Sequence, residues 1–283
     1  MIAWLGTGLL GAGFVRAALA RGETVHVWNR SLDKARALEG DGATAFVDPA
    51  EAVRGAARVH ITLSDDTAVD EVLELTSPGF GADTILVDHT TTSPAGTAAR
   101  VARWTERGVA FQHAPVFMGP QNALDATGFM LASGDRARFD MLEPVLATMT
   151  GKVVYFGPVP ERAAGMKLLG NLFLVSMMAG LTDVLTLAKA LGIPPADAAG
   201  LFDVFNPGAM LPARLKRMLE ADFGHASWNL AMARKDTRLM MEAAAAGGQE
   251  LAVIPGAAAA MDRWLASGHA ADDWTVIAAD ALT

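Results

Sequence analysis

Short apolar runs alternate with stretches of helical periodicity through the first half of the chain. Ile2–Leu5, Thr24–Trp28, Arg58–Leu63, Thr84–Val87, Val109–Ala114, Gly128–Ala132 and Val153–Phe156 are rich in β-branched, aromatic or long apolar side chains and read as strands. Between them, Ala12–Ala20, Leu32–Glu39, Ala68–Leu75, Pro94–Glu106 and Ala137–Met149 read as helices. Strands separated one by one by helices predict a parallel sheet covered on both faces, an α/β doubly wound domain over residues 1–159. From Glu161 the strand signals stop. Ala, Leu and Met dominate, and punctuation at Gly192-Ile193-Pro194-Pro195, Asn206-Pro207-Gly208, Gly247-Gly248 and Pro255-Gly256 predicts an all-α domain over 160–283. That domain opens with one long interdomain helix, from about Glu161 to Leu191.

Between the first strand and the first helix stands Gly6-Thr7-Gly8-Leu9-Leu10-Gly11. The three glycines suit a tight turn, a backbone approach to a diphosphate, and close helix–strand contact. The diphosphate would sit on the free amides and positive end of the following helix. The motif alone is weak. A strand before it, a helix after it and a second strand beyond make it a prediction of a Rossmann-type dinucleotide site. At the end of the second strand an NAD site wants a carboxylate for the ribose hydroxyls, whereas this chain has Asn29-Arg30-Ser31, with Lys34 behind. A guanidinium forks onto phosphate oxygens, so NADP(H) is the expected cofactor.

Composition narrows the classes further. The net charge is −8, from 23 basic and 31 acidic residues, which argues against nucleic acid as a partner. There is no cysteine, and the six histidines show no paired metal spacing, so no metal is expected. Leu168 to Thr182 is free of charge over 15 residues. That falls short of the roughly 20 that a membrane span requires, and a buried helix is expected instead. No basic leader or secretory segment is apparent, and the expected location is cytoplasmic. Met166, Met177, Met178, Met210, Met218, Met232, Met240 and Met241 make the second domain rich in apolar surface, which suggests a subunit interface.

Among groups able to do chemistry, Lys167 and Asn171 stand one turn apart in a segment otherwise apolar or glycine from Ala163 to Val175. A partly desolvated lysine has a lowered pKa and can move a proton near neutral pH. A structural lysine snorkelling to water has the same spacing, and spacing alone does not choose. Asp88-His89-Thr90-Thr91-Thr92-Ser93-Pro94 follows a strand, where ligands bind in this architecture, although Thr92 or Ser93 before Pro94 also suits a helix cap. His113 to Pro120 follows another strand and could line the same crevice. Arg234-Lys235-Asp236 has the look of a surface charge cluster.

Taken in order, these segments resemble the β-hydroxyacid dehydrogenase family, which includes 3-hydroxyisobutyrate dehydrogenases and tartronate semialdehyde and glyoxylate/succinic semialdehyde reductases. The resemblance runs through nearly the whole chain. It implies that Gly6–Gly11 is the cofactor loop, Asn29-Arg30-Ser31 its NADP-type variant, and Leu63-Ser64-Asp65 a loop along the cofactor. Thr90-Thr91 corresponds to the Ser-Thr pair beside the nicotinamide, with Thr91 at cofactor and substrate. Lys167 becomes the catalytic residue, Asn171 an orienting one, and Lys235 of Lys235-Asp236 a lysine reaching the active site. Asp272-Asp273-Trp274 looks like the start of the final helix. Two departures stand out. Gly165 lies two residues before Lys167, where the family pattern has a glycine four before. In the substrate loop, His113 replaces Asp, Phe117 replaces Ser and Met118 replaces a Gly, ahead of Gly119.

The resemblance therefore implies an NADP(H)-dependent oxidoreductase moving hydride between nicotinamide and a hydroxy acid or semialdehyde. The apolar Phe117-Met118 pair points toward a less polar carbonyl compound. Two alternatives remain: an imine reductase of the same fold, which usually carries Asp or Tyr at the place of Lys167, and an NADPH-binding sensor or scaffold without turnover. A homodimer or homotetramer is expected by resemblance.

Overall fold

A computed structural model of the protein describes residues 1–282. The first half runs β1 (Ile2–Leu5), α1 (Leu9–Ala20), β2 (Val25–Trp28), α2 (Leu32–Arg36), β3 (Thr44–Ala45), α3 (Pro49–Val53), β4 (Arg58–Ile61), α4 (Asp66–Thr76), β5 (Ile85–Asp88), α5 (Pro94–Glu106) and β6 (Ala110–His113). Then follow β7 (Val116–Phe117), α6 (Pro120–Asp125), β8 (Phe129–Ala132), α7 (Arg136–Leu146) and β9 (Lys152–Tyr155). The helical half comprises α8 (Arg162–Ala190), α9 (Pro195–Val204), α10 (Leu211–Leu219), α11 (Leu230–Ala246) and α12 (Ile254–Ala266).

Six strands pair in the order β3-β2-β1-β4-β5-β6, every pair parallel. The order reverses between β1 and β4, so the crevice for a ligand opens at the carboxyl ends of those two strands. All four residues of β1 are buried, as a strand covered on both faces requires. Trp4, Phe14, Val25, Val27 and Val87 form one core layer, and Leu5, Val59, Ile61, Leu86, Trp104 and Phe111 the other.

The strands around 128–132 and 153–156 do not join that sheet. They form a separate three-stranded sheet, β7-β8-β9, whose first pair is antiparallel. Pro115 has no N–H to continue the β6 ladder, and its carbonyl instead accepts from Leu131 N at 2.8 Å. Gln112 Nε2 ties the two sheets by donating to both His113 O and Ser133 O. The two-residue strands β3 and β7 and the short helices α3 and α6 carried too few residues to show a period. Before α5, Ser93 is the cap: its Oγ accepts from Gly96 N, with Pro94 at the first turn.

The chain divides into two compact units, Met1–Asn171 and a second beginning at Leu172, and the division falls inside α8. In the second unit Leu230, Ala233, Met261 and Val276 form the core. Asp183 accepts from the N–H groups of Ala252, Val253 and Ile254 at the start of α12. Burial would raise its pKa, but these three bonds outweigh that and hold the carboxyl below its usual range. The expected final helix start at Asp273 is a 3₁₀ turn, Trp274–Ala281, capped by the Asp273 side chain.

The expectation of a buried long helix is corrected. Leu169, Leu172, Phe173, Leu174 and Val175 of α8 are exposed in the single chain. By length and composition α8 is also long and apolar enough to cross a membrane, because an apolar window can tolerate a charge or two at its ends. The uncharged run between Lys167 and Asp183 understated it.

Candidate active site

A cleft of about 640 Å³ opens at the carboxyl ends of the central strands, wholly within the first unit. Its floor is the glycine loop. Gly6 sits at φ +94°, and a Cβ there would lie 2.1 Å from Thr62 O. A Cβ on Gly11 would lie 2.1 Å from Gly6 O, so helix α1 approaches the turn as closely as it does only because both positions lack side chains. Thr62 Oγ1 donates to Gly6 O (2.6 Å) and accepts from Trp4 Nε1 (2.8 Å), pinning the turn to the sheet. Thr7 N donates to Asn29 Oδ1, and Asn29 Nδ2 donates to Ser31 O, which joins the loop to the end of β2.

Helix α1 is left open at its start. Gly8, its N-cap, supplies no side-chain acceptor, the first turn holds no acidic residue, and a Cβ on Gly8 would meet nothing within 4 Å. Free amides, a positive helix end and open space beside Gly8 fit the diphosphate of a dinucleotide. Arg30, Ser31 and Lys34 line the cleft at the end of β2. Among the described residues neither Arg30 nor Lys34 forms a salt bridge, so both cations remain available to a phosphate.

Across the cleft, Thr90 is buried and its Oγ1 accepts from Leu63 N, while Thr91 is exposed on the cleft wall. His89 also lines the cleft, with its ring buried against Trp4 and Phe14. Its Nδ1 donates to Ala114 O at 2.8 Å, so its Nε2 accepts from His60 Nδ1 at 3.0 Å. Burial pushes His89 down to about 4, and both imidazoles are neutral at physiological pH.

Lys167 reaches the same cleft from α8. The residue is 8% exposed, and its Nζ donates to Asn171 Oδ1 at 3.0 Å. Among the described residues no carboxylate pairs with it. Burial lowers its pKa from the ordinary lysine value, which brings proton release closer to neutrality.

Residues 1–157 match the NAD binding domain of 6-phosphogluconate dehydrogenase. This chain belongs to the β-hydroxyacid dehydrogenase-like family. It is 32% identical over 246 residues to the cytokine-like nuclear factor N-PAC of Homo sapiens, covering 84% of this chain but only 43% of that protein. An uncharacterized oxidoreductase of Shewanella frigidimarina is 29% identical over 89% of this chain and 88% of its own length. The mitochondrial 3-hydroxyisobutyrate dehydrogenase of Drosophila melanogaster is 28% identical over 72% of this chain and 62% of its own. In fold, the chain is similar to an imine reductase from Myxococcus stipitatus in complex with NADP⁺, at TM-score 0.92 and 18% identity over 98% of both chains. A reductive aminase from Aspergillus terreus, in complex with NADPH and ethyl-5-oxohexanoate, gives 0.89 and 20% over 98% of this chain and 97% of that one.

Within the frame of this family, several expected site residues have structural jobs instead. Asp65 caps α4, its Oδ1 accepting from Ala68 N and its Oδ2 from Ser64 Oγ, and it does not line the cleft. His113 is buried behind the wall, with Nε2 bonded to Thr90 O (2.9 Å) and within 3.2 Å of Thr92 Oγ1. Gly119, expected among the substrate residues, does not line the cleft, and its N–H donates to Asn122 Oδ1. From that loop Val116 and Met118 line the cleft, and Phe117 does not. The Asn171 carbonyl oxygen is taken by Lys167, so Asn171 orients the lysine before it orients any substrate. Lys235 belongs to the second unit and pairs with Asp236 at 2.8 Å.

Val116 lies in the segment His113 to Pro120 expected at the crevice, but Thr62 and the α4 face of Ala68, Glu71, Val72 and Leu75, which line the cleft with Trp28, were not foreseen. Leu75 of α4 is exposed at the cleft, apolar where solvent alone would favour a polar residue.

Proposed function

We propose that this protein is an NADP(H)-dependent oxidoreductase acting between a hydroxy acid or semialdehyde, or a related less polar carbonyl compound, and its reduced or oxidised partner, with Lys167 as general acid–base. The observation that carries this reading is a buried lysine ammonium on the wall of the cleft that holds the glycine loop, with no carboxylate among the described residues to fix its charge. Gly6 to Gly11 would hold the diphosphate, and Arg30, Ser31 and Lys34 the 2′-phosphate. Bound there, the cofactor supplies or accepts hydride at its nicotinamide.

The chain's own residues do the rest. Lys167 Nζ gives its proton to the oxygen of the reduced carbonyl, and takes one from the alcohol in reverse. Asn171 Oδ1 holds the ammonium in one orientation, 3.0 Å away, so the proton is aimed before substrate arrives. Thr91 offers a hydroxyl from the opposite wall, and Val116 and Met118 give the substrate apolar contact.

Those two apolar side chains also favour imine reduction as a second reading. The name of the human relative, a nuclear factor, keeps a binding role without turnover in view. A stopped assay of NADPH oxidation over a semialdehyde, a larger ketone and a cyclic imine separates the three. Turnover of the carbonyl compounds that is lost with Lys167 supports the proposal. Preference for the imine supports the second reading. No oxidation with any of them would leave a binding protein.

The exposed apolar residues of α8 support a homodimer or homotetramer in which that helix is covered by another copy. Light scattering after gel filtration should give twice or four times 29.6 kDa in plain buffer. Leu172→Glu with Phe173→Glu should shift it toward the monomer. A stable wild-type monomer, or recovery only in detergent, would overturn the assembly.

A further inference from the structure

We infer that Phe117 is a positioning residue, its ring wedged between Gly170 and the Lys167 ammonium so that the amine offers a substrate one N–H and no more. The inference rests on the proposed role of Lys167 and concerns how that group is held. Phe117 lies on β7, where it pairs with Phe129 of β8, so its backbone is fixed by the small sheet. Its ring centroid stands 4.0 Å from Lys167 Nζ, the geometry of a cation over an aromatic face. On the helix, Lys167, Gly170 and Asn171 occupy positions i, i+3 and i+4 and so share a face.

Gly170 explains the fit. Glycine is poor in a helix interior, yet a Cβ here would lie 2.3 Å from Phe117 Cζ and 2.8 Å from its Cε1. The missing side chain is the slot that seats the ring. An ammonium has three N–H groups. One goes to Asn171 Oδ1, one faces the ring, and the third is left toward the cleft. A lone N–H suits a neutral carbonyl or similar acceptor better than a carboxylate, which gains most from a fork of donors. The ring also stabilises the charged form, against the burial that lowers the lysine pKa.

The test follows Lys167 directly, by NMR of the full-length protein with ¹³C-labelled lysine, its ε-methylene assigned through Lys167→Arg. In the wild type that methylene should be shifted upfield by the ring current. Phe117→Leu, which keeps apolar bulk and removes the π face, should abolish the shift and lower the lysine pKa by roughly 0.5 to 1 unit. Phe117→Tyr should retain both. Gly170→Ala, which leaves Phe117 chemically intact but fills its slot, should also abolish the shift. An unshifted wild-type resonance, or a pKa that stays put in Phe117→Leu, overturns the inference. Kinetics then judge the reaction separately. If the resonance behaves as expected and the alkaline limb of kcat/KM follows the same pKa change, both readings stand. If the resonance behaves but the limb does not move, Phe117 positions the lysine and the acid–base role of Lys167 fails.

Discussion

Lys167→Ala is expected to lower kcat by about 10²-fold or more while leaving NADPH affinity near wild type. The glycine loop, Arg30 and Lys34 lie at and beyond the ends of β1 and β2, and among the described residues none of them is bonded to the lysine. Truncation therefore removes the proposed proton donor without disturbing the turn held by Thr62 and Asn29. It also leaves Asn171 Oδ1 without its partner, a modest cost because Asn171 is itself half-buried and water can replace the bond. Single-turnover hydride transfer, measured beside NADPH binding by fluorescence, distinguishes the cases. Loss of both together would mean that the variant has unfolded, and turnover at the wild-type rate would remove Lys167 from the reaction. The lowered lysine pKa sets the pH behaviour. Because burial disfavours the charged form, the amine keeps its proton up to a pH below that of free lysine, and reduction should fade above it.

Arg30→Asp should reverse the cofactor preference, with the NADPH-to-NADH ratio of kcat/KM falling by about 10²-fold or more, since charge-assisted bonds to phosphate are strong and a carboxylate repels one. Arg30 lines the cleft where β2 ends and has no salt bridge among the described residues, so the substitution breaks no existing pair. Lys34 remains on the same wall and would soften the change, which makes Arg30→Asp with Lys34→Ala the stronger variant. The comparison of initial rates with the two cofactors is the measurement. An unchanged ratio would sink the assignment of the 2′-phosphate to this corner of the cleft.

How much of this was legible in the residues differs by element. The strand–glycine loop–helix unit at the amino terminus could be read outright, because the left-handed φ of Gly6 and the approach of Gly11 to Gly6 O, five residues back, are local demands, whereas the crowding of Gly6 by Thr62 O, from a distant strand end, was not visible. The change to an all-α second half was legible for the same reason: strand periodicity and Gly/Pro punctuation are local signals. The separate β7-β8-β9 sheet was not, since alternating apolar runs look alike whichever sheet they join. Nor were the α4 wall of the cleft or the burial of His113, each of which depends on partners far along the chain, whereas the capping work of Asp65 is local, made with Ala68 N three residues on.

By itself, the sequence determined the doubly wound architecture, the place of the dinucleotide loop and the two chemically suggestive residues, Lys167 and Asn171. These follow from spacing, and spacing is written in the chain. Only the tertiary structure decided that Lys167 is buried at the cleft, that Asn171 serves it, and that Phe117 covers it through the gap at Gly170. Burial and contact between distant segments set the pKa and direction of a side chain, and neither quantity exists until the chain has folded.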